Sequence, residues 1–171
     1  GPEGLVPPML PEARQRNAER AARNKGHEFD SHENRPLSER CILLNQERIP
    51  YIPGANEGNL IQIVQSPGFA VGFTEPYPVV RIMPTTNRGH TPEQYLFPSH
   101  MGDSTARGEG DTLVVDVMSF NGEGWLAGPE DKPTGASSGV WLTSPAMHIV
   151  ERWRRVDADT LEYQARVEDP D

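Results

Sequence analysis

Cys41 is the single cysteine among the 171 residues, so no intrachain disulfide can staple the fold. Long apolar runs are missing as well. No stretch approaches the ~18 residues that a membrane-spanning helix needs, and no signal-peptide pattern is present. Basic residues are in short supply, with 16 Lys and Arg against 25 Asp and Glu, a formal net charge of -9. That balance argues against nucleic acid or an anionic membrane surface as a partner and favours solubility. Phosphate-loop and dinucleotide-binding glycine patterns are absent, which removes the usual sequence signs of a nucleotide enzyme. What is left is long enough for one domain that buries about two-thirds of its unfolded surface without a staple.

The chain changes character once. Residues 1–10 read as an extended lead, and Gly1-Pro2 resembles the scar of a cleaved expression tag, which leaves a removed export signal open. Residues 11–171 read as a single β-rich domain. Within it, 11–26 predicts one helix, rich in Ala, Arg, Glu, Gln and Asn and closed by Gly26. Its apolar side is little more than Ala18, Ala21 and Ala22, so it should lie on a surface. Residues 27–58 are polar and proline-marked, a wrapping segment, and the sheet follows over 59–171.

From Asn59 the hydrophobic period is two. LIQIVQ and FAVGFTE flank Ser66-Pro67-Gly68, a tight turn in which proline presets one backbone angle and glycine supplies a positive one. PVVRIMP predicts a third strand, DTLVVDVMSF a fourth, and the final hairpin two more. Two segments rich in Gly, Pro and polar residues, Thr85 to Gly110 and Asn121 to Gly139, read as long loops of the kind that form lids or mouths. The expected fold is mainly β: a small antiparallel barrel or sandwich of about six strands, with a surface helix, able to hold one small ligand.

The closing stretch, AMHIVERWRRVDADTLEYQARVEDP, carries the sharpest signal. A two-residue loop at Ala158 and Asp159 would mix apolar and charged side chains on each face. A three-residue loop, Asp157 to Asp159, puts Leu161, Tyr163, Ala165 and Val167 with Trp153, Glu151 and Ile149 inside. It leaves Arg154, Arg152 and His148 outside with Glu162, Gln164 and Glu168. The second register is preferred, with Asp159 in the left-handed position that such loops favour. Glu151 is then a lone carboxylate on the core side. It must be used, protonated or given a dedicated partner such as Arg81, because an unpaired buried charge costs several kcal/mol or more. The same register puts His148 on the opposite face unless the strand bulges.

Familiar motifs fail on context. Gly135-Ala136-Ser137-Ser138-Gly139 has the letters of a nucleophile elbow but no strand before it and no helix after it. His27-Glu28 and His32-Glu33 stand five apart, and on a helix the two histidines would diverge by ~140°. The remaining candidates for acid–base work are Glu151, with Asp116 or His148 as its partner and Asn121 or Arg81 as hydrogen-bond donor. Trp125, Trp141, Trp153 and Tyr163 could line a site for an apolar or aromatic ligand, Trp125 and Trp141 bracketing the second long loop.

Several blocks together resemble a family of commonly exported bacterial proteins with no established activity: PPMLPEARQRN, the Cys41 segment, QIVQSPGFAVGFTE, GEGDTLVVDVMSFN, WLAG, AMHIVERWRRVDADTLEY and VEDP. The resemblance covers nearly the whole chain and implies an extracytoplasmic, periplasmic or secreted, location. Members usually carry Gly-His-Ser where this chain has Gly102-Asp103-Ser104, His-Trp where it has Arg107-Gly108, and His-Ser where it has Thr143-Ser144. With those three histidines missing, no metal and no cofactor are expected. Members also continue past the Glu-Asp-Pro step, so an end at Asp171 suggests a truncation or a disordered tail.

Two functions of different class are compatible with these residues. One is a cofactor-independent acid–base enzyme of the isomerase, cyclase, lyase or hydrolase type, acting on an apolar or aromatic small molecule. The other is a binding protein in which the same pocket holds a small molecule unchanged. Neither the substrate nor an oligomeric state follows from the sequence.

Overall fold

The computed structural model describes residues 10–27, 29–34, 60–75, 79–91, 97–127 and 141–171. Most of the expected wrapping segment and the middle of the second long loop, including the 135–139 motif, lie outside the described residues.

The helix α1 runs Pro11–Asn24 with proline in its first turn, where a missing N–H costs nothing. It closes on Gly26 at φ 81°. None of its described side chains is buried, and Ala18 and Ala22 are exposed. It is the surface helix that its thin apolar stripe predicts.

Among the described residues nine strands follow: β1 Leu60–Ser66, β2 Phe69–Glu75, β3 Val80–Pro84, β4 Asp103–Glu109, β5 Thr112–Met118, β6 Trp125–Ala127, β7 Trp141–Leu142, β8 His148–Arg155 and β9 Leu161–Glu168. They form antiparallel sheets in the orders β1-β2-β3 and β4-β5-β8-β9, with a separate β6-β7 ribbon. No ladder joins β3 to β4 among the described residues, so the arrangement is two packed sheets and not a closed barrel.

Register decides what each sheet buries. On β2 and β3, Ala70 faces Met83 and Gly72 faces Arg81. These positions turn inward, and Ala70, Met83 and Arg81 are all buried. On the second sheet the inward row is Ala106, Val115, Val117, Ile149, Glu151 and Trp153, with Tyr163 and Val167 from β9. Ala70, Met83, Ala106, Val115, Val117, Phe120, Met147, Ile149 and Trp153 make one buried core. Side chains alternate faces along a strand, so the opposite row points away from this core. It holds Asp103, Thr105, Arg107, Glu109, Asp116, His148, Arg152 and Arg154.

The final hairpin adopts the three-residue loop. Trp153 pairs with Tyr163, Glu151 with Ala165 and Ile149 with Val167, and the Val156 N–H donates to the Thr160 carbonyl beyond the last ladder pair. The loop conformation differs from expectation, since Asp159 is not among the residues with positive φ. Instead the Asp157 carboxylate accepts the Asp159 N–H at 2.8 Å, and Arg155 donates to the carbonyls of Asp157 and Ala158. An aspartate side chain closing its own turn replaces the left-handed residue.

Two expectations about loops need correction. The segment Thr85 to Gly110 contains β4, and Asn121 to Gly139 contains β6. β4 lacks a strand signature because its inward positions are Ser104, Ala106 and Gly108, which show no apolar alternation; of these Ser104 and Ala106 are buried, and Ser104 accepts from Arg81. β6 and β7 are too short to show a period.

Candidate functional site

Glu151 is fully buried and has two partners. Arg81 Nη2 lies 2.5 Å from its Oε2, and the Tyr163 hydroxyl donates to its Oε1 at 2.6 Å. Arg81 is also buried, and its Nε donates to Ser104 Oγ at 3.0 Å. The guanidinium thus crosses from β3 of one sheet to β4 and β8 of the other. Burial of two charges is tolerable only because they meet each other and each has a further hydrogen bond, Arg81 to Ser104 and Glu151 from Tyr163. Trp153 stacks beside Tyr163, ring centroids 4.3 Å apart and tilted by 50°. Arg81, Trp153 and Tyr163 are therefore committed to the core around Glu151.

Asp116 and His148 lie on the other face of the same sheet, and the register across β8 and β9 is unbroken. No bulge reunites them with Glu151, so the pairing of Glu151 with Asp116 or His148 is not formed. Asp116 and His148 do meet each other, His148 Nε2 standing 3.2 Å from Asp116 Oδ2. The other oxygen, Oδ1, is 2.8 Å from His90 Nε2. Beyond His90 the chain of contacts continues, with Asp103 Oδ2 3.1 Å from its Nδ1 and Thr105 Oγ1 3.4 Å from its Nε2. At the far end Glu168 Oε2 is 3.9 Å from His148 Nδ1.

These contacts string Asp103, His90, Asp116, His148 and Glu168 into one line of alternating carboxylates and imidazoles across all four strands. From His90 towards Glu168 exposure rises. The side chain of His90 is 12% accessible, that of His148 31% and that of Glu168 52%. His90 has a carboxylate oxygen at each ring nitrogen, and both contacts are complete when both nitrogens carry hydrogen. Among the described residues no three His, Cys, Asp or Glu groups are arranged to hold a metal ion. Each histidine takes a different oxygen of Asp116, which spreads the groups along a line.

The same face carries a second, exposed network. Glu109 accepts from Arg107 at 2.7 Å and from Arg152 at 2.8 Å. Arg152 first and Arg107 second hold the Glu109 carboxyl below its ordinary range. Arg154 does the same for Glu162 across the hairpin, at 2.8 Å.

The other sequence candidates have local roles. Asn121 donates its backbone N–H to Ser99 and accepts the Glu123 N–H on its side chain at 3.0 Å, which shapes the chain after β5. Trp125 pairs with Leu142 and Trp141 with Ala127 in the β6-β7 ribbon, while their side chains lie outside the described residues. His90 and Asp103 were missed by sequence reading. His90 sits in a connection with no period, 13 residues before Asp103. Asp103 could have been found as an outward position had β4 been recognised as a strand.

Comparison with family models, with curated proteins and with solved structures finds no match to this chain.

Proposed function

We propose that this chain carries out acid–base chemistry on a small molecule at the polar face of the four-stranded sheet, without a cofactor, and that His148 is the proton-transferring group. The observation that carries this reading is the sharing of Asp116, whose two oxygens each meet a different histidine. A carboxylate that accepts the Nε2 hydrogen of His148 fixes the ring orientation and leaves Nδ1 with its lone pair. Nδ1 is the nitrogen that faces Glu168, whose carboxylate balances the charge that arrives with a proton. His90, backed by Asp103, occupies the other oxygen of Asp116 and keeps that carboxylate from turning. The family resemblance adds one point, since Asp103 stands where members carry the histidine of their Gly-His-Ser step. An extracytoplasmic location and an apolar or aromatic substrate belong to the same proposal, the latter resting on the Trp125 and Trp141 positions of the β6-β7 ribbon. Glu151 acts in it as a core ion-pair partner.

The test uses a small-molecule cell extract in heavy water, with mass spectrometry after incubation. The wild-type chain is expected to alter the mass of at least one compound, by deuterium uptake or by conversion. His148→Gln and Asp116→Asn should slow that change by about 100-fold or more, the usual contribution of a positioned acid or base. Unchanged turnover in His148→Gln would sink the assignment. Loss of turnover in a folded Glu151→Gln variant alone would move the site to the inner face. A compound retained by the chain and never altered would favour the binding protein.

A further inference from the structure

Among the described residues nothing covers the outer face of the three-stranded sheet. Register places Leu60, Val64, Phe69, Val71, Phe73, Val80 and Ile82 together on the side away from the core. Six of them expose a large part of their surface: Leu60 67%, Val64 43%, Phe69 45%, Phe73 36%, Val80 53% and Ile82 57%. Their exposed area is on the order of 600 Å², the upper end of what a monomer displays as one patch. Charge is missing from the face except at the Glu75 position at its end. The bordering strand β1, LIQIVQS, has neither a charge nor a proline, the devices that normally guard a sheet edge. By contrast the edge strands of the other sheet carry Asp103, Arg107 and Glu109 on β4 and Glu162, Arg166 and Glu168 on β9.

We propose that this face is the interface of a homodimer, in which two copies pack their three-stranded sheets face to face about a two-fold axis. Area and charge both select a second copy. Two such patches together bury about 1,200 Å², the lower bound of a stable protein–protein interface. A chain with net charge -9 repels its own copies, and this uncharged face is where two of them meet with least like-charge conflict. A two-fold arrangement needs only that the patch complement itself, and an apolar sheet face does so by aligned sheet packing.

Sedimentation equilibrium at about 100 µM, a concentration that populates a dimer of micromolar affinity, reads the outcome directly. The wild-type chain is expected at twice its 19.0 kDa mass. Val80→Asp/Ile82→Asp places like charges in the middle of the contact and should weaken dimerisation at least 100-fold, giving the monomer mass with an unchanged circular dichroism spectrum. Val80→Gln/Ile82→Gln serves the same purpose if the aspartates disturb folding. A wild-type monomer at that concentration overturns the proposal, as does a variant of either kind that folds and keeps the dimer mass.

Discussion

Arg81 and Glu151 show how much one buried residue can require of another. Each is nearly inaccessible, and the pair joins the two sheets. Removing one partner leaves the other charged in the core, so Arg81→Met is expected to destabilise by about 3–5 kcal/mol. Adding Glu151→Leu to it should restore most of that loss, since an apolar pair of similar volume is often as stable as a buried ion pair. Urea unfolding of the two single variants and the double measures the coupling, and simple additivity would mean that the pair does not act as one unit. Glu109 lies at the other extreme of exposure. Its carboxyl is held low by Arg152 and Arg107. A depressed folded value means that the network stabilises fully above the ordinary carboxylate range and loses its contribution as pH falls through the folded value. In a carbon-detected NMR titration Glu109 should titrate below ordinary glutamates and move up in Arg152→Gln. An unmoved midpoint would show that the arginine contact is not kept in solution. Being solvent-exposed, the network is expected to weaken in salt.

Among the elements, β4 is the strand that sequence periodicity hides and the candidate site most depends on. It enters through Gly102 at φ 65°, and a side chain there would place a Cβ 2.6 Å from the Met118 carbonyl oxygen. Backbone cannot yield as a flexible side chain can, so Gly102→Ala should cost about 2 kcal/mol or more. Gly108, on the same strand, has no positive φ, and a Cβ added to it would meet nothing within 4 Å, so Gly108→Ala should be neutral or slightly stabilising. Denaturant midpoints of the two variants compare them, and equal effects would mean that the approach to Met118 relaxes at no cost. The final hairpin is the opposite case. Its alternation survives from sequence to structure because one buried face punishes any slip by turning every side chain over. Only the loop conformation escaped the reading, since an aspartate side chain and an αL residue can close the same turn.

For the whole molecule, the two sheets separate two kinds of surface. The four-stranded sheet carries charged and titratable groups on its outer row, beside the buried Val114 and Thr105, while the three-stranded sheet turns Phe69, Phe73, Val80 and Ile82 outward. If two copies meet on that second face, each brings a net charge of -9 to the encounter. Salt should therefore tighten the dimer. Raising sodium chloride from about 20 mM to about 500 mM shortens the reach of charge repulsion several-fold and is expected to lower the dissociation constant. Sedimentation at both salt concentrations checks the direction, and a dimer that loosens in salt would point to an interface held by ion pairs instead.

The sequence by itself determined the β class, the surface helix, the two hairpins at the ends of the sheet region and the burial of Glu151. All of these follow from periods and turns within a few residues of one another, where local geometry leaves few alternatives. It also placed His148 and Glu151 on opposite faces. The sequence offered Arg81, 70 positions earlier in the chain, as one possible partner of Glu151; only the tertiary structure decided for that pair, and brought His90 and Asp103 to Asp116 and His148. Such meetings depend on which strands become neighbours and on how a connection crosses from one face to the other. No pattern of spacing encodes that, because the free energy that selects it comes from packing the two sheets together.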